Sequence, residues 1–286
     1  MLVFPFNNII SKYILTKKTK DVVSYNLMTY VFDTFAIALL SVILSIKFDF
    51  SSALAMLSGF TFVFLWIIWF RTVRDEEVSR AAMTRSGAPI IVLLLSTVFL
   101  KESLDFNKYL GIFMLAGSTF LASYKKSGKK FHLSSTFATM LLFVFGTACM
   151  SILSKYTLNF TDYWNFYFWS IVGGQIGSLI LITQTSIRKR FVKTSLSIGR
   201  KTWLILTFSY ILYFIGWLSY YIALSIGNVS VVYSMVSARP IILFVYALAL
   251  TRFMPHVLKE DVSQASLIMK SLAGILIIVG SYLIII

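Results

Sequence analysis

Long apolar runs separated by short charged gaps dominate the chain. The runs fall near residues 2–15, 23–46, 53–70, 78–100, 107–123, 136–156, 163–184, 203–226, 229–250 and 267–286. A helix needs about 20 apolar residues to cross the hydrocarbon core, so the pattern predicts an all-α integral membrane protein with ten transmembrane helices. The gaps carry most of the charge: "TKKTKD", "KFDF", "RTVRDEE", "KESLD", "KKSGKK", "NFTD", "RKRFVKTSLSIGRK" and "RFMPHVLKED". So little chain lies outside the runs that a soluble catalytic domain is not expected.

The polar residues of the runs return in order. "SKYIL" (residues 11–15) closes the first run and "SKYTL" (residues 154–158) the sixth. A shift of 151 residues aligns Trp66 with Trp217, Val78-Ser79 with Val229-Ser230, Ser86 with Ser237, and Pro89 with Pro240, two of only four prolines. Later, Gly111 and Gly117 of "GIFMLAG" match Gly274 and Gly280 of "GILIIVG". The pattern predicts one unit written twice: residues 1–124, a basic linker at 125–135, and residues 136–286. Five helices per unit is an odd number, so the second copy enters the membrane from the opposite face. Inverted repeats of this kind place a binding site near the midplane, where one half rocks against the other. The first helix is the weak element, with ten residues before the first Ser-Lys-Tyr against eighteen in 136–153 before the second. Either it barely spans or the start lies upstream.

Composition agrees: 58% of the 286 residues are hydrophobic and 13% charged, against roughly half and a quarter in soluble domains. The net charge of +15 sits mainly in the gaps, where it reads as topology signal and lipid-headgroup contact rather than nucleic-acid binding. The single Cys149 can form no internal disulfide, and no cleavable secretory signal precedes the first run.

The stretch "EVSRAAMTRSGAPIIVLLLSTVFLKESL", followed by Gly111 and Gly117, resembles the EamA repeat of the drug/metabolite transporter superfamily, and "YYIALSIGNVSVVYSMVSARPIILFVYALAL" repeats its first part. The resemblance implies a ten-helix carrier with a central cavity, in a superfamily that moves amino acids, metabolites, sugar phosphates and nucleotide sugars. The second copy departs from the pattern, with "LTRFMPHVLKED" where the first has "FLKESL", so no role is carried onto Glu102 or Glu260.

Ionisable groups inside a span are costly and mark functional candidates. Asp33, Arg80, Arg85 and Arg239 are the deep ones. Arg80 is near enough to a helix end to snorkel. Arg85 and Ala88, the counterpart of Arg239, are three residues apart and would share a helical face, so both halves can offer a guanidinium to one cavity. The competing reading pairs Arg85 or Arg239 with Asp33. One acid cannot neutralise three arginines, and the excess favours an anionic substrate group gripped bidentately. Tyr210, Tyr213, Trp217 and Tyr220 recur at helical spacing, and Trp66 and Trp69 correspond to Trp217 and Tyr220. The pattern suits opposed aromatic walls around a ring or apolar portion, or plain packing. Asn26 and Asn165 either face the same space or form interhelical hydrogen bonds. Lys12 and Lys155, near helix ends, read as interfacial anchors. Pro89, Pro240, Gly111, Gly117, Gly274 and Gly280 are expected to break and pack helices.

An intramembrane enzyme is disfavoured: His132 and His256 fall in gaps, there is no paired-Asp motif, and no nucleophile stands in register with a base. No phosphate-binding Gly-x4-Gly-Lys loop is present, and no cofactor or metal is expected. The reading is a secondary transporter of a small organic anion in the plasma membrane, with a lipid-linked sugar phosphate flippase as the alternative. The expected partners are the small-molecule substrate and membrane lipids; a homodimer is compatible with the pattern. Loop charge and resemblance disagree on orientation. Odd-numbered gaps hold 17 Lys and Arg and even-numbered gaps hold Lys47, Lys101 and Lys108, which puts the odd gaps in the cytoplasm and both termini outside. The resemblance implies cytoplasmic termini; we follow the charges.

Overall fold

The computed structural model describes residues 3–85, 87–101, 105–127, 130–133, 136–237, 239–253, 261 and 263–285. In chain order these form α1 (Val3–Lys17), α2 (Val22–Ile43), α3 (Phe50–Asp75), α4 (Val78–Arg85), α5 (Ala88–Phe99), α6 (Phe106–Ser123), β1 (Tyr124–Ser127), β2 (Lys130–Leu133), α7 (Phe137–Leu158), α8 (Tyr163–Thr183), α9 (Thr185–Ser197), α10 (Arg200–Ile226), α11 (Val229–Ser237), α12 (Arg239–Phe253) and α13 (Gln264–Ile285). Every expected run is helical. Among the described residues, seven helices, with α4 and α5 taken as one, are long and apolar enough to cross a membrane. The other three expected spans correspond to α1, α6 and the α11–α12 pair. Of these, α1 has only 15 residues, and α11 and α12 have 9 and 15, each below a full crossing.

The charged gaps start the helices. Asp21 accepts hydrogen bonds from the Val23 and Ser24 amides at 3.1 and 3.2 Å, and Asp162 from the Trp164 and Asn165 amides at 2.8 and 3.0 Å, each satisfying orphan donors of a first turn. Asp49 does the same for α3 through the Ser52 amide. The Ser51 hydroxyl and the Ser52 backbone hold the Asp49 carboxyl below its ordinary range. Two gaps are more ordered than the pattern suggests. "RKRFVKTSLSIGRK" contains α9, whose dense charge hides a helical face that buries Ile187. The linker region contains an antiparallel strand pair in which Tyr124 pairs with Leu133 and Ser127 with Lys130.

The run at 78–100 is not one continuous helix. Proline at 89 offers no N–H to the Arg85 carbonyl four residues earlier and crowds it; α4 ends at Arg85 and α5 begins at Ala88. Pro240 stands in the same relation to the Val236 carbonyl, and residue 238, between the two, lies outside the described residues. Ser86 lies outside the described residues, as does the Ser237 side chain.

Lys12 and Lys155 are not interfacial anchors. The Lys12 ammonium donates to the Arg74 and Glu76 carbonyls at 2.9 and 2.6 Å, and that of Lys155 to the Leu224 and Gly227 carbonyls, both at 2.9 Å. Each caps the C-terminal carbonyls of a helix, where a cation also meets the negative end of the dipole. Glu76 and Gly227 are 151 residues apart, the shift that aligns the prolines, while the two lysines keep the 143-residue offset of the Ser-Lys-Tyr match.

Glycines bring backbones together at two seams. A Cβ on Gly59 of α3 would lie 1.7 Å from the Ser170 carbonyl oxygen of α8, and one on Gly173 would lie 2.0 Å from that of Met56. Between α6 and α13, a Cβ on Gly111 would be 2.6 Å from the Gly280 carbonyl oxygen, and one on Gly280 would be 2.9 Å from that of Gly111. Gly117 and Gly274 have looser surroundings, with nearest contacts at 3.5 and 4.0 Å. The 151-residue counterpart of Gly59 is Tyr210 of α10. Its ring stacks on Phe32 of α2 at 5.2 Å, and its hydroxyl donates to Asp33 at 2.5 Å. Side chains join α2 to α10 where backbone joins α3 to α8.

Candidate functional site

A cavity with about 1410 Å³ of non-atom space, its open mouth included, lies among α1, α2, α3, α4, α8, α10, α11 and α12. Arg85 of α4 and Arg239 of α12 both line the cavity with Pro240. As the sequence suggested, each half of the chain offers a guanidinium to one cavity.

Aromatic rings surround both guanidiniums. The Arg85 Cζ lies 5.8, 5.5 and 5.3 Å from the ring centroids of Trp66, Trp69 and Phe143, and that of Arg239 lies 4.0 Å from Phe4, within cation–π range. Among the described residues, no acid lies within ion-pair distance of either. Asp33, the expected competing partner, lines the cavity but accepts from Tyr210 instead. Arg80 is buried and lies 3.7 Å from Glu77, and Glu77 also takes Lys270 of α13 at 2.5 Å. That pair ties the first half of the chain to the last helix.

Trp66, Tyr213 and Trp217 line the cavity as one packed cluster rather than as opposed walls. Trp66 meets Tyr213 at 5.9 Å and Trp217 at 6.3 Å, edge to face. Tyr220 turns away, its hydroxyl 3.3 Å from that of Ser151. The two asparagines also serve the scaffold. Asn26 donates to the Val63 carbonyl of α3 at 3.1 Å, while Asn165 accepts from the Lys47 amide at 3.1 Å and donates to Thr161.

Several lining groups escaped the sequence reading. Asn7 of α1 and Ser209 of α10 exchange two hydrogen bonds at 3.1 and 3.0 Å. Ser11 takes the Tyr25 hydroxyl at 2.9 Å, and Tyr30 and Tyr167 line the cavity near Asp33. Small polar residues within apolar runs were the available signal for the first three. The indole N–H groups of Trp69 and Trp217 and the Nε of Arg239 are buried without a hydrogen-bond partner.

Residues 2–124 match the EamA-like transporter family. No curated protein matches the chain. A crystal structure, described in no further terms than that it is of a protein, is similar over 98% of this chain and 95% of that one, with a TM-score of 0.61 at 15% identity, a likeness of fold alone. The chain is a multi-pass membrane protein whose residues 2–124 form a unit of the EamA-like transporter type.

Proposed function

We propose that the protein is a secondary transporter of the plasma membrane that moves a small organic metabolite with an anionic group by alternating access. The carrying observation is a cavity that receives one arginine from each half of the chain, Arg85 and Arg239, with no acid in ion-pair distance of either among the described residues. Buried unpaired charge is expensive, and a mobile anion supplies the compensation for as long as it is bound. The lysine caps of both halves and the matched prolines support two inverted five-helix units, the architecture in which a central site is exposed alternately to either face.

Purified protein in proteoliposomes should show saturable uptake and counterflow of an organic anion. Each charge-assisted hydrogen bond is worth about 1.5–3 kcal/mol, and about 1.4 kcal/mol is tenfold in affinity. Arg85→Gln and Arg239→Gln should therefore each raise the apparent Kd by about ten- to a hundredfold, with lysine recovering part of the loss. Normal transport by both glutamine variants would remove the anion from the proposal.

A further inference from the structure

We infer that α9 is an in-plane docking helix for anionic phospholipids, whose headgroups brace the contact between α2 and α10 beside the cavity. α9 joins the end of one candidate span, α8, to the start of another, α10. It therefore lies at a membrane boundary, and its 13 residues make a rod about 20 Å long. One face is held by the protein. Ile187 is buried, Phe191 packs on the core, and the Ser195 carbonyl accepts from the Trp203 indole at 3.3 Å. Arg190 lies 3.8 Å from Asp21, the residue that caps α2.

The outer face combines two chemistries. Arg188, Val192 and Leu196 recur every four residues and form one stripe, and Lys189 and Lys193 form the next. Val192 and Leu196 are 48% and 82% exposed. Arg188, Lys189 and Lys193 are exposed too, and among the described residues none has an acid within ion-pair distance. α9 itself contains no acid. A charged helix in an aqueous loop would carry polar residues where Val192 and Leu196 stand. Apolar residues beside cations at the edge of a bilayer instead match a lipid surface, whose acyl region takes the apolar stripe and whose negative headgroups meet the cations. Arg200 and Lys201, exposed at the start of α10, extend the same charge.

The inner face of α9 leads toward the cavity. Trp203 meets Phe32 of α2 at 6.1 Å, and Phe32 stacks on Tyr210 of α10 at 5.2 Å. The Tyr210 hydroxyl donates to Asp33, which lines the cavity. A lipid that fixes α9 therefore steadies the place where α2 and α10 meet.

The test places a fluorophore at Leu196→Cys in the full-length protein with Cys149→Ser, reconstituted in phosphatidylcholine bilayers. Nitroxide-bearing lipid with either a phosphatidylglycerol or a phosphatidylcholine head serves as the quencher. One cation near an anionic surface is worth about fivefold in partition, so the phosphatidylglycerol quencher should act at about a tenfold lower mole fraction than its neutral counterpart. In 1 M salt, where the Debye length is about 3 Å, the advantage should fall to about twofold, an arm that needs no change of charge on the protein. Joint replacement by Arg188→Gln, Lys189→Gln and Lys193→Gln, which leaves Arg190 and Asp21 in place, should lower it as far. In detergent, phosphatidylglycerol should raise the Tm of the parent more than phosphatidylcholine does, and the triple variant should lose that difference. Equal quenching by the two heads, a preference that survives the triple replacement, or a label quenched by aqueous iodide and by neither lipid would overturn the docking helix. Displacement of phosphatidylglycerol by sodium phosphate more than by sodium chloride at matched ionic strength would also overturn it, in favour of a soluble anion. A quenching preference without the Tm difference would overturn the brace.

Discussion

Asp33 is a carboxylate inside a membrane helix whose hydrogen-bond partner is a tyrosine hydroxyl and not a cation. It is the candidate acid for proton coupling in the described spans around the cavity, so the transporter either works by exchange or facilitated diffusion, or couples through this residue. Asp33→Asn, which keeps an acceptor for Tyr210, should abolish any uptake driven by a pH gradient while sparing exchange. Full gradient-driven uptake by this variant, followed with labelled substrate in proteoliposomes, would remove Asp33 from coupling. Lys12 and Lys155 permit a paired prediction: Lys12→Met and Lys155→Met should destabilise by similar amounts, at least about 1.5 kcal/mol each, read as thermal unfolding in detergent. Charge and aromaticity within apolar runs pointed to Arg85, Arg239, Asp33, Trp66, Tyr213 and Trp217, all of which line the cavity. The same reasoning misplaced Asn26, Asn165 and Tyr220, because a polar group in a span demands a partner without saying whether that partner is backbone, side chain or ligand. Lys270 was missed for another reason. It sits near the edge of its run, and Glu77, which justifies it, is 193 residues away.

At the scale of elements, the apolar runs located the described helices other than α9, where charge density masks the period. They did not reveal which glycines touch backbone. Identical spacing in "GIFMLAG" and "GILIIVG" suggests equal roles, yet Gly111 and Gly280 meet across α6 and α13 while Gly117 and Gly274 have room. The pseudo-equivalent pairs are therefore separable by experiment. Gly111→Ala and Gly280→Ala should push the helices apart and lower stability, since the obstacle is backbone, or main chain together with close side-chain carbons. Gly274→Ala should be neutral or stabilise by up to about 1 kcal/mol through helix propensity. Comparable losses at Gly274 and Gly111 in a thermal unfolding series would contradict the packing described.

For the whole molecule, loop charge fixes an expectation that the fold by itself does not. Seventeen Lys and Arg in the odd gaps against three in the even ones place the hairpin, α9 and the α3–α4 turn in the cytoplasm. With Cys149 replaced by serine, a cysteine at Ser127 should resist an impermeant thiol reagent applied to intact cells and react after permeabilisation. Labelling from outside would invert the topology. The lysine caps bear on a different matter, the order in which the molecule is made. Lys12 finds its acceptors 62 and 64 residues later and Lys155 finds its own 69 and 72 residues later, so each clasp can close soon after its own hairpin of helices leaves the ribosome. The Gly59–Ser170, Gly111–Gly280 and Glu77–Lys270 contacts all wait for the second half. Until α13 arrives, Glu77 lacks its Lys270 partner and the glycine groove of α6 faces lipid. A nascent chain stalled before Gln264 thus lacks the lysine that pairs with Glu77 and displays an unfilled groove, the features by which membrane quality control can tell an unfinished protein from a finished one.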